Sequence, residues 1–286
     1  MAQKKIIAAL LSAVFLLAGC SVSEETENSD SIQVHFINVG QGDCSLIVSD
    51  GYTVLIDAGE SEESYVVTSY LSELGIEKLD FIIATHPHSD HIGGLAGVIE
   101  NIPADRVIVP HIPDDELPTT KTYRKFLEAV DSADCTLEEA YVGEVIELGI
   151  SELEILAPVT DEYSDLNNFS IVSQLDYGGT SFLFTGDAES ESEKDMMENN
   201  LLDDIDVLKA GHHGSDTSSK KKFLEVIKPD YAVISCGDNS YNHPNEKTVA
   251  RLAEYTDKIY RTDHQGNIIF TSDGENISVE YSNPAF

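Results

Sequence analysis

The apolar run Phe81-Ile82-Ile83-Ala84 breaks directly into Thr85-His86-Pro87-His88-Ser89-Asp90-His91, and this junction constrains the fold more than any other part of the chain. Such a run reads as a buried strand. A strand end is a rigid platform, and the loop beyond it can aim several side chains into one pocket. Isolated histidines are usually ordinary loop residues. Three of the chain's nine histidines within six positions, with an aspartate among them, instead point to a cation site. Imidazole and carboxylate suit zinc, and also manganese or iron. Gly93-Gly94 then lets the backbone turn tightly into a helix, which would set Asp90 and His91 near its N-terminus.

One loop cannot close two metal sites, so further ligands are expected at other strand ends. Phe182-Leu183-Phe184 runs into Thr185-Gly186-Asp187, Val207-Leu208 into Lys209-Ala210-Gly211-His212-His213, and Val54-Leu55-Ile56 into Asp57. Alone, Asp187 reads equally well as a turn residue or a ligand, and Asp57 better as a turn residue. Together the strands favour one shared pocket. The wider pattern agrees. Short β-branched runs (Val34–Val39, Ser45–Val48, Val54–Ile56, Phe81–Thr85) precede alternating helices and strands, and a β-rich half followed by αβ alternation recurs roughly twice. The expectation is an α/β sandwich, two mixed sheets flanked by helices, formed by residues 32–286 as one domain.

At the N-terminus, Lys4 and Lys5 precede the apolar stretch Ile6–Leu17, which ends in Leu17-Ala18-Gly19-Cys20. This reads as a secretory signal peptide over 1–19, an uncleaved anchor being the alternative. Residues 20–31 are polar and read as a flexible tether. The formal charge is −35. A surface this acidic disfavours tight nucleic-acid binding, which depends on Lys and Arg neutralising phosphates. A metal-lined cleft can invert the local field, so catalysis on a phosphodiester stays open. Cys44, Cys135 and Cys236 show no CxxC spacing; Cys44 and Cys236 read as core residues.

His86-Pro87-His88-Ser89-Asp90-His91 resembles the HxHxDH signature of the metallo-β-lactamase superfamily, whose fold is an αββα sandwich. Within it, Val39-Gly40-Gln41-Gly42-Asp43, Leu208–Ser215, Tyr241-Asn242-His243-Pro244 and Arg261–Gly266 resemble segments of the hydrolase domain of ComEC-type DNA-uptake proteins. The likeness spans about residues 32–281. It implies two divalent metal ions, zinc before manganese or iron. His86 and His88 would hold one, Asp90 and His91 the second, and Asp187 would bridge both. One of His212 and His213 would complete the second site, His212 being favoured. Asp57 would orient a histidine from behind. Asn167-Asn168-Phe169-Ser170 stands where many members carry a further histidine, which leaves the first metal fewer protein ligands. Leu-Ala-Gly-Cys also resembles a bacterial lipobox, with Cys20 lipidated. That would anchor the protein on the outer face of the cell membrane.

The implied chemistry is hydrolysis by water activated between metals. Asp90 would accept a proton and His243 touch a phosphate or leaving group, a structural role for His243 being the alternative. The favoured substrate is a phosphodiester, since the resembled domain acts on DNA and competence is its setting. Alternatives are another envelope ester, such as a phosphorylcholine ester, and a non-catalytic binding lipoprotein that keeps the fold. Protein partners are not readable. His35, His111 and His264 are assigned to structure.

Overall fold

The computed structural model describes residues 31–282; Cys20, the leader and most of the tether lie outside the described residues. In chain order the strands are β1 (Ile32–Phe36), β2 (Ser45–Ser49), β3 (Tyr52–Ile56), β4 (Leu79–Ile83), β5 (Ala104–Val109), β6 (Thr136–Glu139), β7 (Val145–Leu148), β8 (Ser151–Ala157), β9 (Val172–Tyr177), β10 (Thr180–Phe184), β11 (Val207–Lys209), β12 (Tyr231–Ile234), β13 (Ile259–Arg261), β14 (Ile268–Ser272) and β15 (Ile277–Tyr281). The helices are α1 (Ser64–Glu73), α2 (Ser89–Ile92), α3 (Leu95–Asn101), α4 (Lys121–Ser132), α5 (Ser190–Glu198), α6 (Lys221–Ile227), α7 (Glu246–Leu252) and α8 (Thr262–Gln265).

These strands form an eight-stranded sheet, ordered β15-β14-β1-β2-β3-β4-β5-β6, and a seven-stranded sheet, ordered β13-β12-β11-β10-β9-β8-β7. Each begins as antiparallel hairpins and continues as parallel crossovers, β3 through β6 in one sheet and β10 through β13 in the other. The β2–β3 hairpin follows from its turn. Asp50 and Gly51 both have positive φ (46° and 85°), the backbone of a two-residue turn matched to strand twist.

Aromatic and β-branched side chains fill the space between the sheets. Phe36 meets Phe184 and Phe270 there, with ring centroids 6.0 and 5.7 Å apart. A second apolar layer, including Val67, Leu95 and Phe126, lies under α1, α3 and α4 on the first sheet. A third, including Met196, Phe223 and Leu252, lies under α5, α6 and α7 on the second. The expected α/β sandwich of two mixed sheets between helices is therefore observed. Cys44 and Cys236 are fully buried free thiols within these helix-facing layers. Among the described residues no helix is long and apolar enough to cross a membrane.

This topology gathers the carboxyl ends of β3, β4, β10 and β11 along one rim, where open α/β sheets present their ligand sites. The rim is tightly packed. A Cβ on Gly42 would stand 2.5 Å from the Asp90 carbonyl oxygen, so only glycine lets the turn after β1 lie against the His86–His91 loop. The same contact carries a hydrogen bond from Asp43 N to Asp90 O of 3.1 Å.

Candidate metal centre

Asp57 leaves β3 with φ 57° and turns its carboxylate back on the loop after β4. Its Oδ1 accepts from Thr85 N at 2.8 Å, and Oδ2 accepts from Thr85 Oγ1 at 2.6 Å and from His91 Nδ1 at 2.7 Å. The last bond fixes the His91 tautomer and leaves Nε2 free to face Asp187 Oδ1, 3.1 Å away. Across the rim, His213 Nδ1 donates to the Ser235 carbonyl just beyond β12 at 3.1 Å. That bond aims His213 Nε2 inward, 3.2 Å from Asp90 Oδ2 and 3.6 Å from Asp187 Oδ2. Asp187 itself is set by Ser170 Oγ, which accepts from its backbone N–H at 3.0 Å.

Ligand atoms of Asp90, His91, Asp187 and His213 thus lie within 4.8 Å of one another. The first group is adjacent and looser. His86 Nε2 and His88 Nδ1 face each other at 3.0 Å, and His86 Nε2 is 3.9 Å from Asp187 Oδ2. Asp187 is therefore the carboxylate common to both groups.

A cation fits these residues. His91 Nε2, His213 Nε2 and Asp187 Oδ1 are buried without a partner in good hydrogen-bond geometry, their close neighbours being one another and Asp90. Burial without a partner costs on the order of 1–3 kcal/mol per polar group, a cost that coordination would remove. The electrostatics bind the cluster together by charge: burial opposes charge on His91, yet Asp187 and Asp57 raise its pKa well above the usual imidazole range. Burial lowers the pKa of His86 well below the usual imidazole range, which keeps its ring nitrogen available as a donor atom. Burial opposes charge on Asp187, yet the neighbouring His91, His213 and His86 hold its carboxyl well below the usual range. Asp90 behaves alike: burial opposes the charge, and His213 and His91 outweigh it. The donor set is compatible with a binuclear site; its chemistry does not single out one metal.

His212, the favoured member of the pair, and His213 approach Asp187 from two sides. Both histidines of the pair have left-handed backbone (φ 49° and 51°), a strained turn that splays the two rings. His212 Nδ1 is held by Glu189 Oε1 at 3.1 Å, and its ring remains partly exposed; Nε2 stays 3.6 Å from Asp187 Oδ2. His212 thus stands on the open side of Asp187 and His213 on its buried side, with Nε2 of each 3.6 Å from Oδ2. His243 stands beside both, with ring centroids 5.1 Å from His212 and 6.5 Å from His213. Of the histidines assigned to structure, His35 is buried against Tyr70 (2.8 Å), His111 pairs with Glu139 (3.0 Å) and His264 is exposed. Asn167 and Asn168 do not enter the centre. Asn168 Oδ1 accepts from Glu189 N and Ser192 N (3.1 and 3.2 Å) and so anchors the start of α5.

Sequence reasoning missed Asp43 and Lys209. Lys209 ends β11 almost fully buried; its Nζ meets the Asp43 carboxylate and donates to Gly186 O at 3.0 Å. Asp43 lies behind both inner histidines, 3.9 Å from His91 Nδ1 and 3.9 Å from His213 Nδ1. The pair is a charged brace under the cluster. Its signal was a lone lysine in an otherwise apolar strand of an acidic chain.

The profile of the Metallo-beta-lactamase superfamily matches residues 37–238. ComE operon protein 3 of Bacillus subtilis is 31% identical over 261 residues, covering 82% of this chain and 32% of its own. Competence protein ComA of Neisseria gonorrhoeae is 30% identical over 265 residues, covering 90% and 35%. The chain therefore spans about a third of the length of these curated relatives. Among solved structures, the metallo-beta-lactamase fold protein YhfI of Bacillus subtilis superposes with a TM-score of 0.58 at 12% identity, over 85% of this chain and all of that one. Profile, relatives, sheet order and the shared carboxylate agree: the chain belongs to the metallo-β-lactamase superfamily of metal-dependent hydrolases, in its ComEC-like group.

Proposed function

We propose that the protein is an extracytoplasmic hydrolase of phosphodiester bonds, anchored to the cell membrane through Cys20 and working with two divalent cations, zinc foremost, with manganese or iron as alternatives. The observation that carries this reading is the buried cluster of imidazole nitrogens and carboxylates converging on Asp187. His86 and His88 would hold one ion, Asp90, His91 and His213 the other, and Asp187 both. Paired cations acidify water and polarise a phosphoryl oxygen.

The protein's own groups do the rest. Asp57 and the Ser235 carbonyl lock the two inner imidazoles with their free nitrogens turned inward. Asp90, less buried than its neighbours, faces the cleft and takes the proton released by attacking water. No serine is needed as nucleophile: Ser89 Oγ donates to Glu60 at 2.9 Å, and Ser215 Oγ lies against Thr217 at 2.9 Å.

Bis-p-nitrophenyl phosphate supplies the test. Metal-loaded protein is expected to hydrolyse it, to stop after chelation while remaining folded by circular dichroism, and to recover on adding zinc or manganese. Metal-loaded protein inert towards this diester and towards phosphorylcholine esters would leave only the non-catalytic lipoprotein reading. The phosphorylcholine alternative draws on one observation. A groove of about 910 Å³ beyond β5 presents Tyr123, Tyr141 and Asp114, aromatic and acidic surfaces suited to a cationic headgroup, while its Glu138 and Glu144 pair with Arg106 and its Glu139 with His111.

A further inference from the structure

Tyr241 is 72% exposed, although a phenol ring would bury readily in a protein of this size. A single exposed aromatic residue is ordinary. The surroundings of Tyr241 are not. Its ring lies 6.0 Å from that of His243, tilted by 33°, and His243 in turn lies nearly parallel to His213, 6.5 Å away at 28°. A short ladder of rings therefore climbs from the buried cluster to open solvent. Its upper rung is pinned. Asn239 Oδ1 accepts from Tyr241 N and His243 N at 3.0 and 3.1 Å, and Asn239 Nδ2 donates to Gly237 O and His243 O at 2.8 and 2.6 Å. Four bonds from one side chain hold the loop over the cleft and present the outer face of Tyr241.

The geometry points to a nucleobase-stacking subsite on Tyr241. The inference rests on the phosphodiester reading and names the substrate class as nucleoside phosphodiesters with an unpaired base. A phosphate held at the cluster with an ester group on the His243 side would bring the first flat group beyond against the tyrosine. Stacking on an aromatic side chain tolerates any base, because each has a π face. It also suits a protein of formal charge −35, which has few cations to spend on a phosphate backbone. A duplex keeps its bases inside, so the class narrows to nucleotides and single strands.

The test compares methyl p-nitrophenyl phosphate with thymidine 5′-(p-nitrophenyl phosphate), using the full chain loaded with zinc. The leaving group is common to both, and an unchanged KM of the methyl ester in Tyr241→Ala is expected, because the p-nitrophenyl ring then does not itself occupy the tyrosine. For Tyr241→Ala, the KM of the thymidine ester relative to that of the methyl ester is expected to rise roughly 10-fold, the scale of one lost base stack. Tyr241→Phe should keep the wild-type ratio. An unaltered ratio in the alanine variant, or an alanine-like ratio in the phenylalanine variant, overturns the subsite. If the wild type cleaves neither ester, the phosphodiesterase reading fails by itself. Stacking is then read without turnover, from quenching of 2-aminopurine fluorescence. Quenching by wild type and Tyr241→Phe but not by Tyr241→Ala supports the subsite, and equal quenching by all three removes it. Running the quenching with a 2-aminopurine mononucleotide and with a labelled hexamer tells, by which binds tighter, whether nucleotides or single strands are the source.

Discussion

Asp187→Ala is expected to lower phosphodiester turnover on the order of 10³-fold or more while leaving the protein folded. The argument is geometric. Among the described residues Asp187 is the carboxylate that reaches both groups, 3.1 Å from His91, 3.6 Å from His213 and 3.9 Å from His86. Its side chain lies on a loop beyond β10 and fills no part of the apolar layers, so its loss creates no large core cavity. His86→Ala should act similarly by dismantling the first group. The pair after β11 supplies a sharper contrast. His213→Ala removes a nitrogen from the buried cluster and should cost more activity than His212→Ala, which removes a partly exposed ring. Turnover per mole of metal-checked protein, with circular dichroism as the folding control, measures all four variants. Equal losses at His212 and His213 would contradict the assignment of the inner ligand.

The largest expected effect on stability belongs to Lys209→Met. Methionine matches the lysine stem but leaves the buried Asp43 carboxylate without its cation. Breaking a buried pair from one side costs about 3–5 kcal/mol, because the remaining charge is neither solvated nor matched. For a domain of this size that is a fall in melting temperature on the order of 10 °C. Asp43→Asn alone should also destabilise, since it strands the ammonium. The double variant Asp43→Asn/Lys209→Met should lose less than the sum of the singles, since each removes the other's unpaired charge. Thermal melts of the four proteins close this cycle. Additive losses would mean that the two side chains stand side by side without interacting energetically.

Much of this architecture is written in the sequence at the level of strand ends. Apolar runs followed by Asp57, by His86–His91, by Asp187 and by His213 are visible because buried parallel strands leave nearly continuous hydrophobic signatures. The pairing of two αβ halves is visible for the same reason. What escapes the sequence is of two kinds. Edge elements leave weak patterns: β6, Thr-Leu-Glu-Glu, is mostly exposed, and β7, Val-Ile-Glu-Leu, buries only alternate residues. Side-chain direction is the other. Adjacent histidines look equivalent in sequence, and a left-handed turn sends them apart, tying His213 Nδ1 to the Ser235 carbonyl and His212 Nδ1 to Glu189. The Asp43–Lys209 brace joins residues far apart in the chain across the two sheets, a contact that no local spacing encodes.

Metal stoichiometry with anomalous diffraction tests the central claim most directly. Wild-type protein is expected to hold two transition-metal ions per chain, one between His86 and His88 and one among Asp90, His91 and His213, with Asp187 contacting both. Asp187→Ala should retain fewer. A wild-type protein that takes up no metal at saturating zinc or manganese, or that binds it away from Asp187, would contradict the account.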